Sequence, residues 1–299
     1  MLLARLKEMF AGGRASTGAV YRRRVNLQRR FTILLDISNQ GSMSRVYKAI
    51  DNETGKIICL KIQDRVKNAA ALKRASREAP RPPEGEIAVQ VNHPQVIRTF
   101  EYGDASGGEN YLVMEYIDGY SFYHLRETRM GRTAQKLHWL AQAAEGLAAV
   151  HAAGFIHHDI NPRNFLLSRE HQVKLIDFGL AIPNTPPFCG PGNRTGSLQY
   201  MAPELIRREP IDERIDIFGF GVVAFELLTD RLPYPSHNST ITMLQKLNTA
   251  PLDPATAKPK LSVEVCELLL RLIARKRDER WPAMAGLAET LRSIPPKRP

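Results

Sequence analysis

Up to Tyr116 the apolar residues of this chain follow the short, alternating spacing of strands, and beyond Gly119 they follow the three-to-four spacing of helices. Residues 31–37 read as an apolar strand, residues 39–42 (N-Q-G-S) as a turn, and residues 45–50 as an alternating strand. Residues 51–55 (D-N-E-T-G) form a hairpin connection into a strand at 57–62, and two more strands are expected at 96–102 and 111–116. Between them, residues 64–79 are rich in Ala and Arg and read as helical. Pro80, Pro82 and Pro83 break that run, and Pro83 suits the first position of a short helix over 84–91.

Past the switch, Leu137, Leu140, Ala141, Ala144, Leu147, Ala148 and His151 share one face of a buried helix at 134–153. Gly154 follows as a C-cap. Further helices are expected at 203–207, 214–229, 240–247, 263–274 and 283–294. Strands gathered first and helices second predict an α+β fold in two lobes joined near residues 115–119. The corresponding division is a leader at 1–30, a β-rich lobe at 31–117, a helical lobe at 118–295 and a tail at 296–299.

The 299 residues suit one large domain or two lobes, and 43% hydrophobic with 24% charged residues is ordinary globular material. No apolar run approaches the roughly 18–20 residues that span a bilayer. The N-terminal M-L-L-A-R-L-K-E-M-F interrupts its apolar positions with charge, unlike a secretion signal. Cys59, Cys189 and Cys266 are odd in number and far apart, which fits a reducing cytoplasm better than a disulfide framework. The net charge of +11 is concentrated at the start: Arg5, Lys7, Arg14, Arg22, Arg23, Arg24, Arg29 and Arg30 face the single acid Glu8. Such a leader suits an acidic partner, an anionic lipid surface or nucleic acid. Equally, it suits a solvated extension that docks on its own domain, and no aromatic interleaving or groove-reading motif points to nucleic acid in particular.

The densest chemistry lies in residues 156–179, where I-H-H-D-I-N-P-R-N-F-L-L is followed by a turn and V-K-L-I-D-F-G. Asp159, Asn164 and Asp177 fall on two loops bracketing a pair of short apolar strands. Oxygens held this way suit a hard divalent cation, and a lone Asp can orient a hydroxyl for proton transfer. His157-His158-Asp159 could also be read as a transition-metal cluster, but adjacent residues on a short loop rarely converge on one ion.

This segment resembles the catalytic and metal-binding loops of eukaryotic-type protein kinases, H-R-D-L-x-x-x-N followed by D-F-G. Four other segments share the resemblance: S-N-Q-G-S-M-S-R-V-Y-K-A at 38–49, I-C-L-K at 58–61, L-V-M-E-Y-I-D-G at 112–119 and G-S-L-Q-Y-M-A-P-E at 196–204. The likeness runs from about residue 31 to 293 and is to the serine/threonine branch, in the form of a bacterial-type cytosolic member. It implies a bilobal fold that binds ATP and Mg²⁺ and transfers a phosphoryl group to a protein hydroxyl.

By the same resemblance Gly41 is the one glycine kept in the phosphate loop, whose other slots hold Asn39 and Ser44. Lys61 contacts the α- and β-phosphates and pairs with Glu84, with Glu86 as the competitor. Val46, Cys59 and Leu166 sandwich the adenine, Met114 is the gatekeeper, and the backbone of Glu115 and Ile117 meets the ring edge. Asp159 orients the acceptor hydroxyl, and Asn164 and Asp177 hold Mg²⁺. Asp216 anchors the catalytic loop, and Arg280 pairs with Glu204.

Two catalytic-loop positions depart from the pattern. Asn161 stands where the branch has a lysine on the γ-phosphate, so an amide remains to bond a phosphate oxygen without adding charge. His158 replaces the arginine that binds a phosphorylated activation segment, which argues against control by phosphate on Thr195; the imidazole itself is expected to be exposed. Ala88 and Thr99 fill slots usually given to larger apolar residues. These departures admit two further readings, a nucleotide- or partner-binding pseudokinase and a small-molecule phosphotransferase.

Overall fold

The computed structural model describes residues 18–38, 44–63, 81–192, 195–235, 244 and 246–296. The turn containing Asn39 and Gly41, the helix expected at 64–79 and most of that expected at 240–247 lie outside the described residues.

Six strands form the first sheet in the order β1-β5-β6-β4-β3-β2. They are β1 (Val20–Val25), β2 (Phe31–Asp36), β3 (Ser44–Asp51), β4 (Ile57–Gln63), β5 (Thr99–Ala105) and β6 (Asn110–Glu115). The centre of the sheet is antiparallel, with Lys61 of β4 opposite Val46 of β3 on one side and Leu112 of β6 on the other. The strand expected to begin at residue 96 begins at Thr99. Val96 instead makes an isolated bridge to Leu175, and Ile97 donates its N–H to the Leu175 carbonyl at 2.9 Å.

Strand β1 departs from the sequence reading, which had assigned residues 20–30 to the basic leader. β1 pairs in parallel with β5, and the turn of helix Leu27–Arg30 follows it. The cause is local charge pairing. Arg30 is buried against Asp51 (3.2 Å) and Glu101 (2.7 Å), while Arg22 reaches Glu101 and Glu53 at 3.0 Å each. Arg22 and Arg30, counted with the leader in the sequence, therefore pair with acids of the first sheet.

The second half is helical around a nearly fully buried helix, Arg214–Thr229. Gly221 lets it approach closely: a Cβ there would meet the Leu272 Cβ at 2.7 Å. The long helix Thr133–Ala152 matches expectation and stops at Gly154, whose φ of +82° ends the helical path. Helices also occur at Pro203–Arg207, Val263–Leu272 and Leu287–Ser293, the last two shorter than expected. The helix expected at 84–91 ends earlier, as Glu84–Ala88, with Ile87, Ala88 and Val91 all buried.

β7 (Gly119–Ser121), β9 (Phe165–Ser168) and β10 (Val173–Leu175) make a small sheet in the order β10-β9-β7, and β8 (Phe155–Ile156) pairs with β11 (Ile182–Pro183). The loop from β8 to β9 and the loop after β10 carry the residues singled out in the sequence. One apolar cluster continues from Cys59, Ile87 and Met114 of the first lobe into the helices of the second. That shared core fixes the two lobes against the cleft between them.

Candidate active site

The strand period of two places Lys61 and Gln63 on the same face of β4, pointing toward the helix Glu84–Ala88. Lys61 Nζ lies 2.7 Å from Glu84 Oε1 and 2.8 Å from Asp177 Oδ1, and Gln63 Nε2 donates to Glu84 Oε2 at 2.5 Å. Glu84 rather than Glu86 is therefore the partner. Gln63 was missed in the sequence, although its position two residues beyond Lys61 was the available signal. Burial pulls the Lys61 ammonium toward neutrality, but Asp177 and Glu84 more than offset this and hold it charged. Burial likewise pushes the Asp177 carboxyl up, and Lys61 with the Gly179 N–H brings it down to about 2. The result is a charged Lys61 held between Asp177 and Glu84.

Asp159 follows β8 and sits in a frame of donors. Asn161 Nδ2 and Asn164 Nδ2 each lie 3.1 Å from Asp159 Oδ2, while Ser197 donates N–H and Oγ–H to Oδ1 at 3.1 and 2.9 Å. Asn161 Oδ1 accepts the Arg163 N–H at 2.9 Å, which closes the loop on itself. The loop is anchored below by Asp216, which accepts the N–H groups of His157 and His158 at 2.7 and 2.9 Å and contacts His151 Nε2 at 2.9 Å. Arg280 makes two bonds to Glu204, at 2.6 and 2.7 Å, and both are buried.

His158 differs from expectation because it is buried rather than exposed. Its ring meets Thr195 Oγ1 at 2.9 Å, and burial lowers its pKa to about 4, so it is neutral at pH 7. The position that holds an arginine in the resembled pattern therefore holds an uncharged ring bonded to the Thr195 hydroxyl.

A cavity of about 340 Å³ lies between the lobes, within the range of small-molecule sites. Its lining includes Val46, Cys59, Lys61, Glu84, Met114, Glu115, Ile117, Asn164, Leu166 and Asp177. Those are the sequence-expected residues, brought together, with Asp159 beside Asn164; Gly41 lies outside the described residues. Ile37, Ile97 and Ile176 join the apolar wall without having been foreseen, because single isoleucines carry no signal of their own. Ala88 and Thr99 are both buried in the first lobe.

The protein kinase domain model matches residues 39–291. The chain belongs to the protein kinase domain family. Among the curated proteins similar to this kinase domain is a probable serine/threonine-protein kinase, pknA2, of Bifidobacterium longum. It is 28% identical over 91% of this chain and 36% of the relative. Serine/threonine-protein kinase pkn2 of Myxococcus xanthus is 31% identical over 89% of this chain and 32% of its own. PknB of Mycobacterium leprae is 28% identical over 88% and 43% respectively. The chain thus spans less than half the length of these relatives. Among the described residues, no helix is long and apolar enough to cross a membrane.

Proposed function

We propose that this kinase domain is an ATP- and Mg²⁺-dependent serine/threonine protein kinase, slowed by the missing charge at Asn161. The observation that carries the reading is Lys61 held between Glu84 and Asp177 at the wall of the cavity that also contains Asn164.

The donor set fits magnesium. Among the described residues, no group of three His, Cys, Asp or Glu side chains could hold a metal by itself. Magnesium is suited instead to one or two protein oxygens completed by water and substrate phosphates. Asp177 offers an ionised carboxylate, and Asn164, whose Nδ2 is spent on Asp159, keeps its amide oxygen for a cation. When bound with the nucleotide, the metal supplies charge neutralisation at the transferring phosphate.

The remaining work falls to the chain. Lys61, fixed at both ends, binds the nucleotide phosphates without reorganising. Met114, Glu115 and Ile117 receive the base against Val46, Cys59 and Leu166. Asp159 Oδ2 accepts the proton of a hydroxyl placed beside it, and the amides of Asn161 and Asn164 keep that oxygen oriented. Phosphoryl transfer asks for positioning and charge more than for covalent help, and this frame supplies both. A cytoplasmic location is consistent with its three widely spaced cysteines.

The test is incubation with labelled ATP, Mg²⁺ and a protein substrate, alongside Asp159→Ala and Asp177→Ala. Label entering protein Ser or Thr and lost in both variants is the expected result. Nucleotide binding without transfer would indicate a pseudokinase, and transfer only to a small molecule would indicate a small-molecule phosphotransferase.

A further inference from the structure

Arg163 lies on the catalytic loop directly before Asn164, exposed, and lines the cavity together with Ser121. Its guanidinium stands 3.8 Å from the centre of the Tyr123 ring, whose other neighbour is Arg126 at 4.9 Å. Stacking fixes the plane of Arg163 and leaves its N–H fork unspent. Among the described residues no carboxylate pairs with it.

Among the described residues the neighbouring acids are engaged. Glu226, buried, is held by Arg126 and accepts the Tyr200 hydroxyl at 2.6 Å, and Glu127 also pairs with Arg126. Glu115 pairs with Lys174 at 2.7 Å and Asp118 with Arg169 at 2.9 Å. Asp159 is framed by amides and Ser197. A basic side chain arriving beside the acceptor hydroxyl finds no free acid on these segments, whereas an acidic one finds an oriented guanidinium. Both Arg126 and Arg163 also bear electrostatically on the hydroxyl of Tyr200, in the 196–204 segment.

We propose that Arg163, with Arg126 and Tyr123 supporting it, selects protein substrates carrying Asp or Glu beside the acceptor hydroxyl. The proposal rests on the kinase reading of the same site and adds the class of substrate. Its basis is a preorganised, unpaired fork, which gives charge-assisted bidentate contact at little ordering cost.

Serine peptides that differ only in flanking Glu, Ala or Arg, assayed for kcat/KM, test it. Wild type should favour the Glu peptide over the Arg peptide by about fivefold or more, the worth of about one exposed charge pair. Arg163→Ala should flatten that ratio and Arg163→Glu invert it. Raising the salt from roughly 0.05 to 0.5 M should shrink it through screening. Equal use of the peptides by wild type, or a ratio unmoved in Arg163→Glu, overturns the proposal. So does a variant whose defect is confined to KM for ATP, because Arg163 would then serve the nucleotide. Anisotropy binding of the same peptides reads charge selection without turnover. Acidic preference in binding without transfer would remove the kinase reading and keep the selection; transfer without acidic preference would do the reverse.

Discussion

Under the proposed function, Asn161 occupies the point of the catalytic loop where a positive charge would most help phosphoryl transfer. Its amide instead bridges Asp159 Oδ2 and the Arg163 N–H, so it orders the loop but adds no charge. A charge contact made in the transition state of a water-excluded site is worth about 10²–10³ in rate. Asn161→Lys should therefore raise the single-turnover rate, by roughly tenfold once the lost Arg163 contact is allowed for. An unchanged or lower rate would show that the amide network matters more than the charge. His158 makes a second residue-level prediction. Its pKa lies at about 4 in the folded chain: burial lowers it, Asp216 and Asp159 oppose that, and Arg81 and His157 reinforce it. The unfolded value is about 6.5, so unfolding takes up a proton below that pH. The stability tied to neutral His158 is complete above pH 6.5 and is lost as the pH falls toward 4. At pH 5 the loss is roughly 2 kcal/mol. Urea midpoints at pH 7 and pH 5 should thus fall further for wild type than for His158→Gln. Parallel falls would mean that the ring is protonated without cost.

At the scale of elements, β1 exists because of residues far from it in sequence. V-Y-R-R-R-V alternates poorly and reads as a charged leader, since the acids that pair with its Arg22, Glu53 and Glu101, come from the turn after β3 and from β5, while Asp51 of β3 pairs with Arg30 of the following helix. By contrast β3, β4 and the helix Arg214–Thr229 carry their own periodicity, and they were legible to within a residue or two. Glu84 was already the expected partner of Lys61 by the kinase resemblance, and packing accounts for its choice over Glu86. Two acids two residues apart on a helix point to different faces, and only the packed positions of Ile87 and Ala88 decide which one meets Lys61. Burial of His158 was hidden, because it depends on Asp216 and Thr195 converging from distant segments. The ion cluster around β1 predicts a large mutational effect. Arg30→Met leaves Asp51 and Glu101 buried with one cation fewer and should lower the unfolding free energy by about 3 kcal/mol or more. Arg23→Met, at an exposed position within β1 itself, should change it by roughly 0.5 kcal/mol or less. Equal urea midpoints for the two variants would reduce the cluster to surface decoration.

Over the whole molecule, the cleft is bridged in two ways. The apolar core passes from Cys59 and Met114 into the helical lobe, and the Lys61 ammonium ties β4 and Glu84 of one lobe to Asp177 of the other. A ligand filling the cavity between them touches both lobes, so its binding energy stabilises the folded chain as a unit. At about 100 times its Kd such a ligand adds roughly 2.7 kcal/mol. For a domain of this size that corresponds to a rise in Tm of roughly 4 °C. Under the proposed function part of the rise should depend on Mg²⁺, because Asp177, whose carboxyl pKa is held down to about 2, would be the carboxylate that takes the cation. Thermal melts with ATP plus Mg²⁺ and with ATP plus chelator should therefore differ for wild type and coincide for Asp177→Asn. Lys61 would still hold Glu84 in that variant, so nucleotide binding itself should persist, weakened. A Mg²⁺-dependent increment that survives in Asp177→Asn would place the cation elsewhere in the cleft and leave Asp177 only its pairing with Lys61.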